Sequence, residues 1–240
     1  MNSITIIATT WFPKGPIGES RKEYAKEAIL SWEEWLYYDG IINLHIADDG
    51  SFSDYLEDLV EFLSKWWTRG AVSRSRQERH GVGASLNAGI KVADKLFAYF
   101  VDDWKLTGEM DLTPWATLLL REERVGMVRL GPPHPYIAGK VEMFNEGWAL
   151  VLERHHFAFG HRPALYHKRM IEAYGYFEED VNALECERSY NLRFCSYEVP
   201  GYEAGPKIIY ALPSPFEHIA EDVHVSEVDP SEAHRLPIDI

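Results

Sequence analysis

Acidic side chains follow two apolar segments of this chain, and carboxylates in such places are candidates for binding a ligand or a metal ion. The two pairs are Asp48-Asp49, after residues 41–47, and Asp102-Asp103, after residues 97–101. If both apolar segments are parallel strands, their carboxyl ends meet at one sheet edge, where α/β proteins bind ligands. Carboxylates there accept hydrogen bonds from a base or a ribose, or bind a hard divalent cation. Either pair alone would more readily begin a turn or cap the next helix; two at one edge favour a site.

A second candidate is a basic segment, because four arginines and a histidine lie within residues 69–80 of an acidic protein. They are Arg69, Arg74, Arg76, Arg79 and His80. A local basic cluster beside a nucleotide would suit a diphosphate, although a solvated loop explains any single arginine as well. Arg79 and Asn87 are the preferred candidates because they flank the glycine-rich turn at Gly81 and Gly83.

The apolar pattern predicts alternating strands and helices that would position these side chains. The amino-terminal elements are a strand at 3–11, a helix at 20–40, a strand at 41–47, helices at 54–67 and 85–95, and a strand at 97–101. The later elements are a helix from Thr113-Pro114, strands at 125–130 and 148–152, helices at 163–174 and 180–193, and an irregular tail from 197. Two strand–helix units with acidic strand ends predict a parallel sheet whose carboxyl edge carries the site.

Composition limits the classes of partner. With 240 residues and a formal charge of −14, the chain is long enough for one sizeable core and too acidic for a general polyanion binder. Two cysteines, Cys186 and Cys195, are too few for a disulfide framework and indicate a reducing compartment. No apolar run approaches the length of a membrane span. We therefore expect a cytoplasmic protein without a membrane span.

Three segments, taken in order, resemble the family 2 glycosyltransferases with the GT-A fold. Residues 46–51 look like the family's VDDGS strand end, residues 80–90 are similar to its GxxxARNxG segment with Leu86 where arginine is common, and residues 99–104 occupy the place of its acidic metal motif. The resemblance covers roughly residues 3–105 and continues loosely to about 195. It implies an α/β fold of the GT-A, Rossmann-like class: a mixed, mostly parallel sheet flanked by helices in a single domain.

The resemblance also implies roles for single residues in donor binding. Thr9 and Thr10 would line the nucleotide base pocket, Asp48 or Asp49 would contact the base or ribose, and Arg79 and Asn87 would bind the donor. A divalent metal, Mn²⁺ or Mg²⁺, would be held by Asp103, with Asp102 on the ribose or in the metal shell. The usual Asp-x-Asp motif would place its second acid at Trp104, so the segment is closer to the EDD variant. His218 resembles the late histidine that some of these enzymes add as a third ligand.

For the catalytic base, residues 175–180 and 184–188 resemble the region of the family's ED motif. Glu185 is the first choice and Glu187 the second, while an exposed acidic helix face paired with Arg188 and Arg193 is an equally good interpretation. Among the aromatic residues, we expect Trp104 and Trp148 near the crevice. Trp32, Trp35, Trp66 and Trp67 are expected in the core. His155, His156 and His161 are candidates for the acceptor site, although packing explains them as well.

The sequence thus predicts a glycosyltransferase that moves a sugar from a nucleoside-diphosphate sugar, with a UDP-sugar favoured, to an acceptor hydroxyl. Residues 1–105 would form the donor half and residues 106–240 the acceptor half with a carboxyl-terminal wrap. Metal-assisted inversion is favoured, although the GT-A frame also serves retaining enzymes. The acceptor stays open between a glycan and a modified nucleobase. The alternatives are a nucleotidyltransferase, for which residues 11–16 form a poor phosphate loop, and a non-catalytic nucleotide-sugar-binding module.

Overall fold

The computed structural model describes residues 3–78, 80–132, 139–144, 147–152, 159–196, 206–211 and 214–220. The strands are β1 Ser3–Thr10, β2 Leu36–Tyr37, β3 Ile41–Asp48, β4 Val72–Arg76, β5 Leu96–Val101, β6 Trp104–Leu106, β7 Met110–Asp111, β8 Val125–Arg129, β9 Gly139–Phe144, β10 Gly147–Leu152, β11 Ala164–His167, β12 Lys207–Tyr210 and β13 Phe216–His218. The helices are α1 Pro16–Trp35, α2 Ser53–Trp66, α3 Gly81–Val92, α4 Thr113–Arg121, α5 Arg169–Tyr174 and α6 Ala183–Ser196.

One nine-stranded sheet organises these residues, in the order β4-β3-β1-β5-β11-β8-β12-β10-β9. The strands β4, β3, β1 and β5 are mutually parallel. Beyond them, β11 is antiparallel to β5 and β8, β12 is parallel to β8, and β10 is antiparallel to β12 and β9. The mixed sheet with a parallel amino-terminal half confirms the predicted fold class.

Helices cover both faces of the sheet, which explains why its central strands β1, β3 and β5 are almost entirely buried and mostly apolar. Ile4 and Ile6 of β1 pack into the cluster formed with α1, α2 and α4, whereas Ile7 packs into the cluster formed with α3, α5 and α6. A strand buried on both sides cannot alternate with polar residues. The alternating order of β1, α1, β3, α2, α3 and β5 therefore follows directly from the sequence.

The chain changes direction at β1, and this places the site. From β1 it runs outward through β3 to β4, and then α3 crosses the other face to bring β5 against the opposite side of β1. In register, Thr10 lies beside Asp48 and Thr9 lies beside Val101, so Asp102 follows at the same edge. Such a reversal leaves a crevice at the carboxyl ends of the strands, where open α/β sheets bind ligands.

Part of the segment predicted as a basic loop is a strand. Residues Val72–Arg76 form β4 at the edge of the sheet. Its alternating Ser and Arg residues give the segment no apolar face, so the sequence pattern is typical of a loop. In the structure, however, the His45 ring of β3 forms hydrogen bonds with the hydroxyls of Ser73 at 2.9 Å and Ser75 at 3.0 Å. Pairing with a buried neighbour, rather than its own periodicity, makes this segment a strand.

The predicted helix at 163–174 is wrong in its first half. Residues 164–167 form β11, which lies between β5 and β8, and only Arg169–Tyr174 are helical. All four residues of β11 are buried, and a short buried run has no periodicity that separates a strand from a helix.

The carboxyl-terminal tail is also more regular than predicted, since it contains β12 and β13. Pro206 and Pro215 directly precede these strands instead of interrupting them, which is compatible with proline at strand ends. The strand β9 was not predicted either. Of the tryptophans expected in the core, Trp32 is fully buried, but Trp66 is 58% exposed and that expectation is wrong.

Among the described residues, no helix is long and apolar enough to cross a membrane.

We expect Gly83→Ala to destabilise the fold. A Cβ at Gly83 would lie 1.9 Å from the carbonyl oxygen of Glu178, so α3 and the segment before α6 would have to separate. Overpacking of this kind costs about 1–3 kcal/mol, measurable by urea unfolding followed by circular dichroism. The matched control is Gly108→Ala, whose Cβ would lie 4.0 Å from Pro215; equal unfolding midpoints for the two variants would contradict the packing.

A pH dependence of stability is expected from His167, which is 5% exposed. Its Nδ1 accepts hydrogen bonds from the backbone N–H of Arg169 at 3.0 Å and from Arg169 Nε at 3.1 Å. Burial, then the charges of Arg169 and Lys95, lowers the pKa of His167 from 6.5 to about 4.

Because the unfolded chain binds this proton first, the contribution of His167 to stability is complete above the unfolded pKa. It is lost as the pH falls from about 6.5 towards about 4. Between about pH 7.5 and about pH 5 the protein should lose about 2 kcal/mol more unfolding free energy than His167→Gln. Urea titrations at both pH values check this, and equal losses in the two proteins would refute it.

Candidate functional site

Asp48 is completely buried at the end of β3, and its carboxylate is used inside the protein. Oδ2 accepts the backbone N–H groups of Gly50 at 3.1 Å and Ser51 at 3.0 Å, while Oδ1 accepts the hydroxyls of Thr10, at 3.1 Å, and Ser51. Arg76 Nε lies 3.7 Å from Oδ2. These bonds close the turn after β3 and tie it to β1, so Asp48 shapes the edge of the site.

Asp49 connects the same turn to the beginning of α3. Its Oδ1 accepts the backbone N–H groups of His80 at 2.9 Å and Gly81 at 3.0 Å. A carboxylate at this position satisfies free N–H groups of the helix and interacts favourably with its dipole. Gly81 has a φ of 85°, a conformation that glycine adopts without strain. The turn after β3 and the start of α3 are therefore one connected unit.

Thr9 and Asn87 both bond other parts of the protein. The Thr9 hydroxyl lies 3.4 Å from the hydroxyl of Tyr99 on β5. The Asn87 amide donates to the carbonyl of Phe177 at 2.9 Å and to Glu179 Oε1 at 2.8 Å, and accepts the Phe177 N–H at 2.9 Å. Asn87 thus holds the segment that leads into α6 against α3.

The basic segment is largely engaged by protein groups. Arg74 Nη1 lies 2.7 Å from Glu57 Oε1, and Arg76 Nη2 donates to the carbonyl of Ser51 at 2.6 Å. Arg79, the preferred candidate of this segment, lies outside the described residues. The described arginines therefore contact neighbouring parts of the protein: Arg69 contacts Glu33 of α1, Arg74 contacts α2, and Arg76 contacts the turn after β3.

Asp102 lies at the end of β5, is 2% exposed, and has one buried oxygen, Oδ2, without a hydrogen-bond partner. Its other oxygen is 3.5 Å from Arg21 Nη2, and Arg21 Nε donates to the carbonyl of Trp11 at 3.0 Å. Burial raises the pKa of Asp102 to about 7; Arg21 acts in the opposite direction and the charge of Asp103 adds to the rise. A cation near Asp102 would favour its charged form.

Asp103 is brought together with His218, as the resemblance implied. The antiparallel pairing of β6 and β13 places His218 beside Trp104, and the Ile219 N–H donates to the Asp103 carbonyl at 2.9 Å. As a result, His218 Nε2 lies 3.3 Å from Asp103 Oδ2. The other oxygen, Asp103 Oδ1, is buried and has no hydrogen-bond partner.

The donor set suits a metal ion that takes part of its ligands from a bound substrate. Residues 3–220, as far as they are described, contain no group of three His, Cys, Asp or Glu side chains arranged to hold a metal. They do contain the Asp103–His218 pair and two orphaned carboxylate oxygens, on Asp102 and Asp103. Hard divalent cations in nucleotide sites are commonly held by one or two carboxylates together with substrate phosphates. The residues present fit such an arrangement.

The two candidate bases on α6 point in different directions. Glu185 is exposed, whereas Glu187 is partly buried and its Oε1 accepts the backbone N–H of His161 at 2.5 Å. A Cβ at Gly160 would lie 3.3 Å from Glu187 Oε1 and 3.6 Å from Arg129 Nη2, so both charged groups converge on Gly160. Glu187 therefore faces the interior beside the sheet, and Glu185 faces solvent.

Sequence reasoning missed Arg162. Its guanidinium carbon lies 5.9 Å from the centre of the Trp104 ring, and Nη1 donates to the Pro132 carbonyl at 3.1 Å. Burial, followed by the charge of Arg129, lowers the pKa of Arg162, but an arginine stays protonated in proteins. No signal in the sequence pointed to it, because Arg162 directly precedes the predicted helix at 163–174 and belongs to no motif.

Tyr99 and His161 form a second unpredicted contact of the site. The Tyr99 hydroxyl lies 3.0 Å from His161 Nδ1 as well as 3.4 Å from the Thr9 hydroxyl. His161 thus links the end of β1 to the backbone that contacts Glu187. His155, His156 and the side chain of Trp148 lie outside the described part of the chain.

Comparisons with known proteins concern the family and the fold of this chain. Residues 19–104 match the model of Glycosyl transferase family 2, and no curated protein matches the chain. Similar solved structures include Staphylococcus aureus TarS 1-349, which is 14% identical with a TM-score of 0.60; the alignment covers 92% of this chain and 61% of that chain. This chain thus spans about three fifths of that TarS structure.

Two further structures share the fold. GalNAc-T7 with UDP, GalNAc and Mn²⁺ is 13% identical with a TM-score of 0.59, and the match covers 90% of this chain and 44% of that chain. The mannosyltransferase PcManGT from Pyrobaculum calidifontis, with GDP-Man and Mn²⁺, is 14% identical with a TM-score of 0.51, covering 93% and 59%. This chain is therefore a GT-A-fold protein whose residues 19–104 match the family 2 glycosyltransferases, as the resemblance in the sequence implied.

Proposed function

We propose that this protein is a glycosyltransferase that moves a sugar from a nucleoside-diphosphate sugar to a hydroxyl group of an acceptor. The observation that carries the proposal is the Asp103–His218 pair beside buried Asp102, at the edge where β1, β3 and β5 end. Two carboxylate oxygens without a partner at one ligand crevice are costly unless a bound cation or ligand satisfies them. The family match over residues 19–104 supports the same activity.

In this proposal the two halves of the chain bind different substrates. Residues 1–105 would bind the donor, with Thr9, Thr10 and Asp49 nearest the base and ribose. Residues 106–240 would bind the acceptor, and His218 would return from that half to the donor site. Asp48 and Asn87 then act as positioning residues, since their polar atoms hold the turn after β3 and the segment before α6.

The neighbouring structures support a nucleotide-sugar donor without fixing its base. TarS has been solved with UDP-GlcNAc and with UDP, and PcManGT with GDP-Man. We favour a UDP-sugar for this chain, with Mn²⁺ or Mg²⁺ as the metal. The acceptor is an alcohol of a glycan or of a modified nucleobase.

For the chemistry we assign Glu187 in place of Glu185. Glu187 would accept the proton of the acceptor hydroxyl while that oxygen forms its bond to the anomeric carbon and the bond to the diphosphate breaks, which inverts the configuration. Asp102, Asp103 and His218 would hold the divalent cation, which when bound stabilises the negative charge on the departing diphosphate. Glu185 lacks an inward orientation and would remain a surface residue.

The first test measures donor binding in Asp103→Asn. Titration calorimetry with UDP and with GDP, each with and without Mn²⁺, should show a metal-dependent gain in affinity for the unmodified protein. Removing the charged ligand should lose about tenfold or more of that gain, or about 1.4 kcal/mol, with an unchanged melting temperature in the absence of ligand.

The control for this test is Glu217→Gln. Glu217 is the exposed neighbour of His218 on β13, with Oε2 3.8 Å from Lys105, so its loss should leave nucleotide affinity unchanged. Equal metal-dependent binding by Asp103→Asn and the unmodified protein would remove Asp103 from the metal site. Tight binding without any release of nucleoside diphosphate from sugar donors would instead favour a binding module.

The second test compares Glu187→Gln with Glu185→Gln. Loss of a general base lowers turnover by roughly 10²- to 10⁴-fold, so Glu187→Gln should show this loss with unchanged donor affinity, while Glu185→Gln keeps near-normal turnover. Turnover is followed as nucleoside diphosphate released from the donor in the presence of an acceptor panel. The reverse pattern would return the base to Glu185.

A further inference from the structure

A departing nucleoside diphosphate benefits from a cationic protein group beside it, because breaking the bond to the sugar leaves more negative charge on the terminal phosphate than one divalent cation neutralises. The sequence placed that group in the basic segment at 69–80. Arg74 and Arg76 of this segment, however, already contact Glu57 and Asp48. Arg21, the arginine nearest Asp102, is likewise engaged by that carboxylate at 3.5 Å.

Arg162 differs from these arginines. Among the described residues, no carboxylate lies within salt-bridge distance of its guanidinium. The side chain donates a hydrogen bond to a neutral group, the carbonyl of Pro132. The guanidinium is held over the face of Trp104 at 5.9 Å, an interaction that orients a planar cation without neutralising it. A guanidinium offers several N–H donors in a fixed fork that suits phosphate oxygens.

Three successive contacts connect Arg162 with the Asp103–His218 pair. Its guanidinium packs on Trp104, the centre of the Trp104 ring lies 5.2 Å from that of His218, and His218 Nε2 lies 3.3 Å from Asp103 Oδ2. Arg162 directly follows His161, whose backbone N–H donates to Glu187 Oε1 at 2.5 Å. Arg162 is therefore connected by successive contacts to the proposed metal ligands, and through its neighbour His161 to the proposed base.

We propose that Arg162 binds the diphosphate of the nucleotide-sugar donor, with Trp104 as the platform that orients its guanidinium. This inference rests on the proposed function and deepens it, since it assigns the cation of the donor site to the carboxyl-terminal half of the chain. Its hydrogen bond to Pro132 and its stacking leave guanidinium N–H groups available for phosphate oxygens. The terminal phosphate, which is absent from a nucleoside monophosphate, is the group that this contact would distinguish.

The test is the ratio of the affinities for UDP and UMP, or for GDP and GMP, measured by titration calorimetry with and without Mn²⁺. For Arg162→Gln, affinity for the diphosphate should fall about tenfold or more, while affinity for the monophosphate changes less than about threefold. Arg162→Lys, which keeps the charge and loses the fork, should fall between the two proteins. Melting temperatures without ligand verify that both variants are folded. If Arg162→Gln does not fold, the diphosphate and monophosphate affinities of Arg162→Lys decide the test.

The matched control is Arg74→Gln, which removes an arginine of the basic segment that is paired with Glu57. Its affinity for the diphosphate should equal that of the unmodified protein. Unchanged diphosphate affinity in the Arg162 variants, or an equal loss of diphosphate and monophosphate affinity, would overturn the assignment of Arg162 and leave the proposed function intact. If the unmodified protein bound no nucleoside diphosphate, both the proposed function and this assignment would be wrong.

Discussion

The parallel alignment of β3, β1 and β5 is the constraint on which the rest of the site depends, because it forces buried carboxylates to one edge of the sheet. Buried charge is tolerated only when it is bonded or paired. Asp48 meets this requirement with hydrogen bonds from Thr10 of β1 and from the turn that follows β3, and so becomes part of the framework. Asp102 and Asp103 each keep a buried oxygen without a partner. This difference separates the residues that build the crevice from those that can bind within it.

Residues far along the chain complete the crevice through secondary structure of the carboxyl-terminal half. The pairing of β13 with β6 delivers His218 to Asp103, α6 delivers Glu187, and the segment before β11 delivers Arg162. Asn87 couples these two halves, since its amide bonds the segment that leads into α6. For a donor bound by the first half, the second half would therefore supply a metal ligand (His218), a cationic side chain (Arg162) and a catalytic base (Glu187). These residues lie on elements that pack against the first half.

Charge is distributed to match this arrangement. The net charge of −14 excludes a broad surface that binds polyanions. The proposed ligand is nevertheless a small polyanion, and it would bind together with a divalent cation. Arginines of the basic segment pair instead with protein carboxylates, Arg74 with Glu57 of α2 and Arg76 with Asp48 at the end of β3. The guanidinium of Arg162, which has no carboxylate partner in the described part of the chain, lies instead over Trp104, whose ring contacts His218. A small, local cation next to acidic metal ligands is sufficient for a diphosphate and would not retain a long polyanion.

The sequence alone determined the order of β1, α1, β3, α2, α3 and β5 and the acidic strand ends, because the helices have an amphipathic period and the strands are short apolar runs bounded by turn residues. It did not determine β4, β11, β12 or β13, since short strands become strands only by pairing with neighbours that are distant in the chain. For the same reason it could name Glu185 and Glu187 but not choose between them, as helix rotation against the sheet sets which one faces inward. The sequence supplied the candidate acids; tertiary packing decided that Glu187 faces inward, that His218 reaches Asp103, and that Arg162 stands beside them.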